Sequence, residues 1–365
     1  MKEWAESDKF NSFNSWKGLL YADWYKAVAA GKILPPIEAS IDSIHACNLH
    51  CKHCNIARYR YDTESPQKMS LGHMMNLIMF LSEWGVKANC FGGGGEPTMN
   101  KDLDKALRFS KLCGMESSLS TNGTIMPDKL AQAIIDTCRW IGISVDAAST
   151  STYKSLKDVD MFDRVIGNIS HLVKLNKGTC DINYKFLISP INQYEILNAC
   201  KLAKELGVRD FQARPMDYLH QGMDDLKGTL GNFDMGSIHT QFEECHELAT
   251  NDFHVYTPTH KFDMNFHSGE KHFSHCYASG MIIQLCADGN VYYCIDQRHN
   301  QKLLLGTHAP DPSNILSFWG SQHHLDLMFG DTADKCTTRC TLGPYCSQCE
   351  KLFINKNDPM CINFA

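Results

Sequence analysis

The sequence predicts an α/β fold built on a parallel sheet, and three observations carry that expectation. Short apolar or alternating runs recur between segments of helical period, six times in succession from residue 36 to residue 215. Several helical segments begin or stop on a known signal, with Pro127 at one first turn and Gly85 and Gly207 after two last turns. Polar and glycine-rich clusters follow the apolar runs, at the C-terminal ends of the strands, where α/β sheets bind their ligands. Consecutive βα units give parallel strands with right-handed crossovers, and six of them fit a partial barrel or a doubly wound sheet.

The elements follow in order. The stretch 16–30 reads as an amphipathic helix capping the fold. Residues 36–44 alternate as a first strand, and 70–84 form a helix with Leu71, Met74, Met75, Ile78 and Leu81 on one face. Strands are expected at 87–91, 116–120, 140–145, 182–188 and 210–215. Helices are expected at 101–112, 127–138, 152–175 and 193–206. After Asp217 the periodicity is lost, and 218–273 reads as a bridge with some helix. From His275 onward short hairpins and cysteines dominate.

Composition narrows the function classes. The 365 residues carry a net charge of −6, which gives no field for nucleic acid or for an anionic membrane surface. No apolar run approaches the ~20 residues of a membrane span, and acids interrupt the N-terminus before a signal core could form. A cytoplasmic protein is expected. Its 17 cysteines are then poorly explained by disulfides and read as metal ligands or redox groups.

Cys47, Cys51 and Cys54 stand as C-N-L-H-C-K-H-C directly after the first strand. Three thiolates on one loop can hold three irons of a four-iron cubane and leave the fourth iron open. Zinc is the other reading, closed by His50 or His53. The second strand ends in G-G-G-G-E-P, the third in S-T-N-G and the fourth in I-S-V-D. Glycines in the first patch permit close backbone approach, and Glu96 can accept from an ammonium group.

Taken together, residues 35–215 resemble the radical SAM superfamily, with the CxxxCxxC triplet as the most specific motif. The resemblance implies a partial (β/α)6 TIM-type barrel and a [4Fe–4S] cluster on Cys47, Cys51 and Cys54. The open iron would chelate S-adenosylmethionine, whose reductive cleavage gives a 5′-deoxyadenosyl radical that removes a hydrogen atom from substrate. It also places His53 near adenine and Gly94, Gly95 and Glu96 near the methionine amino group. Ser120, Asn122, Ser144 and Asp146 would approach the ribose or carboxylate, as would Lys185 and Arg214. An electron donor such as flavodoxin or ferredoxin is implied as partner.

The C-terminal cysteines out of context could form a zinc ribbon. In context they resemble the SPASM extension, which carries one or two auxiliary [4Fe–4S] clusters. By that resemblance Cys276, Cys294 and Cys349 bind an inner cluster, and Cys336, Cys340, Cys346 and Cys361 an outer one. The spacing of Cys336 to Cys349 departs from the usual pattern, which leaves the partition open. Cys286 is a candidate fourth inner ligand, although a hairpin turning at 287–289 sets it opposite Asn290 and roughly 13 Å along the strand from Cys294. Asp296 lies near the place of a general base in some relatives.

The resulting plan is a helical segment (1–34), a barrel (35–217), a bridge (218–273) and a SPASM domain (274–365). The expected activity is oxidation of a small polar metabolite or sugar-like substrate. A peptide- or protein-modifying maturase is the alternative. Only 46 residues precede Cys47, too few for the winged-helix domain common in leader-binding peptide modifiers.

Overall fold

The computed structural model describes residues 15–56, 67–217, 232–259, 261–262, 271–336, 338 and 340–354. A ten-stranded sheet organises them in the order β10-β9-β8-β1-β2-β3-β4-β5-β6-β7. Strands β1 (Glu38–Ile41), β2 (Ala88–Phe91), β3 (Glu116–Thr121), β4 (Cys138–Ser144), β5 (Asp181–Ile188) and β6 (Asp210–Pro215) lie side by side in chain order, all parallel. Six helices join them: α2 (Leu71–Trp84), α3 (Leu103–Leu112), α4 (Asp128–Thr137), α5 (Thr150–Lys157), α6 (Phe162–Leu175) and α7 (Ile196–Leu206). Ahead of β1 the segment expected to be one helix is a 3-10 turn over Ser15–Tyr21 followed by α1 (Ala22–Ala29).

Local signals set these boundaries. The Ser70 hydroxyl accepts from the His73 backbone N–H at the start of α2, and Gly85 closes the helix in the left-handed region. The helical text at 152–175 divides because Asp158 turns left-handed at φ 60° and ends α5. The bridge adds two elements. Helix α8 (Met235–Glu247) was expected in kind, whereas β7 (His254–Tyr256), a short strand parallel to β6, was not.

On the other side of β1 the C-terminal segment joins the same sheet. Strand β8 (Ile282–Leu285) runs parallel to β1, with Ile41 in register with Leu285. Strands β9 (Asn290–Tyr292) and β10 (Leu304–Thr307) then return antiparallel. The turn falls where the sequence placed it, since Cys286 N–H donates to the Asn290 carbonyl at 2.9 Å. Helices α9 (Gln322–Phe329) and α10 (Gly343–Cys349) follow. Among the described residues, no helix is long and apolar enough to cross a membrane.

The strand alternation sorts two faces. Ile41, Phe91, Leu119, Ile143, Phe186 and Phe211 are fully buried under the helices. The residues between them are mostly small or polar, with Trp140, in register with Ser118, the large exception beneath the Lys185 ammonium. Register aligns Ser40 with Cys90 and Ser118, Ser120 with Gly142, Ser144 with Lys185, and Lys185 with Gln212. An inner face so lined leaves room for a ligand, and this is the face on which the site is built.

Two buried histidines make the C-terminal segment acid-sensitive. Burial pulls His308 down to about 4, with its Nε2 2.9 Å from the Cys286 carbonyl oxygen and its Nδ1 2.8 Å from His73 Nε2. Burial also pulls His324 down to about 3, where its Nδ1 accepts from the Gly320 N–H. Both imidazoles are neutral when folded, and the unfolded chain takes up their protons near 6.5. Their stabilisation is therefore full above pH 6.5 and is lost as pH falls toward 4. The thermal midpoint is expected to drop over that window, and His324→Gln should flatten the profile in a pH series of melting curves.

Candidate active site

The chain leaves β1, forms a bridge between Ile44 and Lys68, and enters the loop bearing Cys47, Cys51 and Cys54, three half-buried cysteines outside any disulfide. Three contacts fix this loop. On its incoming side the glycine run presses against it: Glu96 N–H donates to the Ala46 carbonyl at 2.8 Å, and a Cβ at Gly95 would collide with the carbonyls of Ala46 and Ile44. Only glycine fits that approach. At the middle, the Asn48 amide donates to Thr124 Oγ1 at 2.8 Å and its carbonyl accepts from Asn122 at 3.0 Å. Asn122 Nδ2 also lies 4.0 Å from Cys47 Sγ. At the outgoing side, Lys52 N–H donates to Leu156 O at 3.0 Å and His50 N–H to Lys157 O at 3.4 Å. The loop thus uses carbonyls that the end of α5 leaves unpaired within the helix.

Beneath the loop sits Asp146, fully buried after β4 and left-handed at φ 63°. Its Oδ2 pairs with the Lys157 ammonium and lies 3.3 Å from His53 Nε2, while Oδ1 accepts from Leu187 N–H at 2.7 Å. Burial alone would raise this carboxyl, but the Lys157 charge and the His53 hydrogen bond hold it well below the usual range. Burial likewise lowers His53, whereas Asp146 outweighs burial at Lys157 and keeps it charged. Lys157 also favours the thiolate of Cys51, a thiol that burial pushes up to about 11. The sequence reading missed Lys157; its only signal was a lysine in a helix ending just after the I-S-V-D patch.

This arrangement bears on what the triplet can hold. His53 is turned to Asp146 and is not placed to close a zinc site. Among the described residues one set alone gathers three or more donor atoms within 4.8 Å of one another, and the triplet is not in it. Its thiols do not gather that closely, yet Cys47 and Cys54 are near enough to raise Cys51. Three soft donors on one short loop suit three iron corners of an iron–sulfur cubane.

Other expected residues take definite places. Both oxygens of Glu96 are engaged, Oε1 by the hydroxyls of Thr98 and Thr121 and Oε2 by Asn122 N–H at 2.7 Å. Glu96 therefore ties the glycine run to the end of β3. Gly94 abuts the carboxylate of Asp42. Ser120 and Ser144 lie on the inner face, and Lys185 crosses over Gly142 to donate to Ser120 Oγ at 3.3 Å. Burial, then the neighbouring Arg214, lowers Lys185 to about 8.

The C-terminal cysteines regroup. Cys336 acts electrostatically on both Cys276 and Cys294, and Cys340 neighbours both as well, so thiols of the expected inner and outer sets lie near one another. Cys346 borders Cys340, Cys276 and Cys349, and its sulfur accepts from Ala278 N–H at 3.4 Å. Cys361 lies outside the described residues. Cys286 stands apart at the hairpin turn, where its neighbours are Asp42, Gln284 and Arg298. Asp296, expected as a base, accepts from Thr341 N–H at 2.8 Å and from Thr341 Oγ1 at 2.9 Å. It thereby fixes the turn after Cys340.

Two variants test this geometry. Lys157→Met strands a buried carboxylate, a change that costs about 3–5 kcal/mol, and should strip about four irons from the anaerobically reconstituted protein while Lys157→Arg retains most of them. Replacing Cys276 and Cys294 by alanine should remove about four irons and leave the signal of the triplet's cluster intact. Iron, acid-labile sulfide and electron paramagnetic resonance report both outcomes.

A profile of the radical SAM superfamily matches residues 41–187. The chain is 29% identical over 226 residues to a probable GTP 3′,8-cyclase of Metallosphaera sedula, covering 58% of this chain and 68% of that protein. It is 31% identical over 180 residues to one of Saccharolobus solfataricus, covering 48% and 56%. The chain thus spans about half to two thirds of the length of these relatives. Among solved structures, SuiB of Streptococcus suis bound to precursor peptide SuiA superposes with TM-score 0.61 at 15% identity, covering 88% of this chain and 74% of that one. Native anSMEcpe with bound AdoMet gives 0.60 at 17% identity, covering 86% and 88%. At such identities these two show the shared partial-barrel fold. The matched residues 41–187 take in the cysteine loop and strands β2 to β5, and over that stretch the chain is similar to the radical SAM superfamily, whose cofactors are a [4Fe–4S] cluster and S-adenosylmethionine.

Proposed function

We propose that this enzyme oxidises a small, polar, anionic substrate by hydrogen-atom abstraction, with a second iron–sulfur cluster as electron acceptor. The observation that carries this reading is the inner face of the barrel. Ser118, Ser120, Gly142 and Ser144 keep that face open, and Lys185 and Arg214 set two cations on adjacent strands within it. Two half-buried cations side by side are only partly screened by water and favour an anionic partner. Two of the relatives are named for GTP, itself a small anion.

Cys47, Cys51 and Cys54 would hold the cluster to which S-adenosylmethionine binds, and together these groups supply one-electron chemistry that ends in removal of a hydrogen atom. Cys276, Cys294, Cys336 and Cys340 would hold the second cluster, which supplies an acceptor for the electron left on substrate. The protein's own residues position and insulate. Lys157 and His53 fix Asp146, and the end of α5 fixes the cysteine loop. Lys185 and Arg214 orient the anion, and Asp296 secures the Cys340 turn within electrostatic reach of Arg214. Loss of one hydrogen atom, one electron and one proton makes a net two-electron oxidation. A flavodoxin or ferredoxin would supply the starting electron.

The sign of the pH dependence follows from Lys185. Its charge is present below about 8 and is lost as pH rises through that value, so binding of an anion should weaken across pH 8. Lys185→Arg should move this loss to higher pH. Lys185→Met should lower substrate-stimulated methionine release at least tenfold with cluster content unchanged. Anaerobic incubation with a pool of nucleotides and sugar phosphates should yield a product lighter by two hydrogens. The same mass loss on a peptide pool, with none on the metabolites, would overturn the small-molecule reading.

A further inference from the structure

Behind the cysteine loop, Asp42, His45, Cys286 and His299 bring one donor atom each to within 4.8 Å of one another. We propose that these four residues form a mononuclear zinc site, separate from the iron–sulfur chemistry, that clamps the barrel's first strand to the C-terminal hairpin.

The sheet builds most of this site. Because Ile41 pairs with Leu285, the next residues on the two parallel strands, Asp42 and Cys286, emerge side by side. Asp42 N–H donates to Leu285 O at 2.8 Å, and the Cys286 thiol lies 3.6 Å from Asp42 Oδ2. His45 follows on the same segment, its N–H held by Gln67 O at 2.9 Å beside the Ile44–Lys68 bridge. His299 arrives from beyond β9 with φ 64°, a conformation that costs a non-glycine residue free energy and persists only where surroundings impose it. Its ring meets His45 edge to face at 4.7 Å.

Two features point to an ion. Asp42 Oδ1 and His45 Nε2 are buried polar atoms without a hydrogen-bond partner, at residues 1% and 4% exposed. Orphaned groups of this kind cost about 1–3 kcal/mol each, and a shared cation satisfies both. The charges also close. Arg298 lies 3.3 Å from Asp42 Oδ2, and Asp288 lies 3.9 Å from His299 Nδ1. Asp42, Asp288 and a Cys286 thiolate sum to three negative charges; Arg298 and a divalent ion sum to three positive ones.

Two imidazoles, a thiolate and a carboxylate are a zinc donor set, too soft for magnesium or calcium. Zinc bonds of about 2.0–2.3 Å place tetrahedral ligands roughly 3.3–3.8 Å apart, so the donors close by about 1 Å on loading. Binding would release the Cys286 proton to solvent, with no change of oxidation state. The glycine run seals the site: at Gly93, in the left-handed region at φ 92°, a Cβ would meet Asp42 Oδ1 at 2.7 Å, and at Gly94 it would meet Asp42 Oδ2 at 2.7 Å.

The test uses the anaerobically reconstituted full chain, exposed to zinc chloride and then dialysed. Elemental analysis should find about one zinc per chain, and its X-ray absorption edge should report one sulfur and three nitrogen or oxygen neighbours. His299→Ala and Cys286→Ser should lose that zinc with iron and sulfide unchanged. Absence of retained zinc in the unaltered protein would overturn the proposal, as would zinc retained in both variants. A loss of about four irons from Cys286→Ser would instead make Cys286 a cluster ligand and equally sink it. The absorption spectrum needs no variant, so misfolding of one leaves the test decisive.

Discussion

The buried carboxylate of Asp146 organises the mouth of the barrel. A charge with no access to water has to be compensated by its surroundings, and here the partners come from three places in the chain. Lys157 arrives at the end of α5, His53 from within the cysteine loop, and Leu187 N–H from β5. Asn192 adds a hydrogen bond to the Asp146 carbonyl at 2.7 Å. None of these groups can move without leaving a buried polar atom unpaired, so the loop, the helix end and the strand are fixed relative to one another. Lys157 makes the link to chemistry, because the same ammonium that neutralises Asp146 favours the Cys51 thiolate, the form in which cysteine binds iron.

A second constraint is the central place of β1. It is the first strand in the chain, yet it has neighbours on both sides, β2 from the barrel and β8 from the C-terminal segment. A sheet edge there would expose unpaired backbone groups. Pairing with β8 covers it and carries the C-terminal cysteines into a fixed relation with the barrel. The sheet therefore runs across the boundary that composition suggests near residue 273, and two cysteine-rich regions far apart in sequence share one scaffold.

The fold was largely legible because its signals are local. Ser70, Gly85, Pro127 and Gly207 mark element ends wherever the chain is placed in space, and the six βα steps appear at the expected positions. Strand β7 was illegible since three residues cannot display a period, and the division of 152–175 turned on a single left-handed aspartate. In the site, residue types were legible and partners were not. Glu96, Asp146 and Asp296 were each recognisable as carboxylates at strand ends or turns. Their actual partners, Thr121, Lys157 and Thr341, lie 11 to 45 residues away, a pairing only the tertiary structure decides. The partition of Cys276, Cys294, Cys336, Cys340 and Cys346 is open for the same reason, since spacing along the chain does not determine which sulfurs become neighbours.

Such engagement of carboxylates divides labour in a way that suits radical chemistry. A side chain left loose near an unpaired electron offers hydrogen atoms that compete with the substrate's own. Here Glu96 is held by three partners, Asp146 by three, and Asp296 by Thr341, while the inner face between them carries serines and a glycine with little side chain to offer beside a single indole, Trp140, packed under Lys185. The charged groups that remain on that face, Lys185 and Arg214, are cations suited to grip an anion by electrostatics. On the proposed reading, rigidity in the wall and charge at one side of the barrel together would direct reactivity toward whatever the cations hold, and specificity would rest on the anion they select.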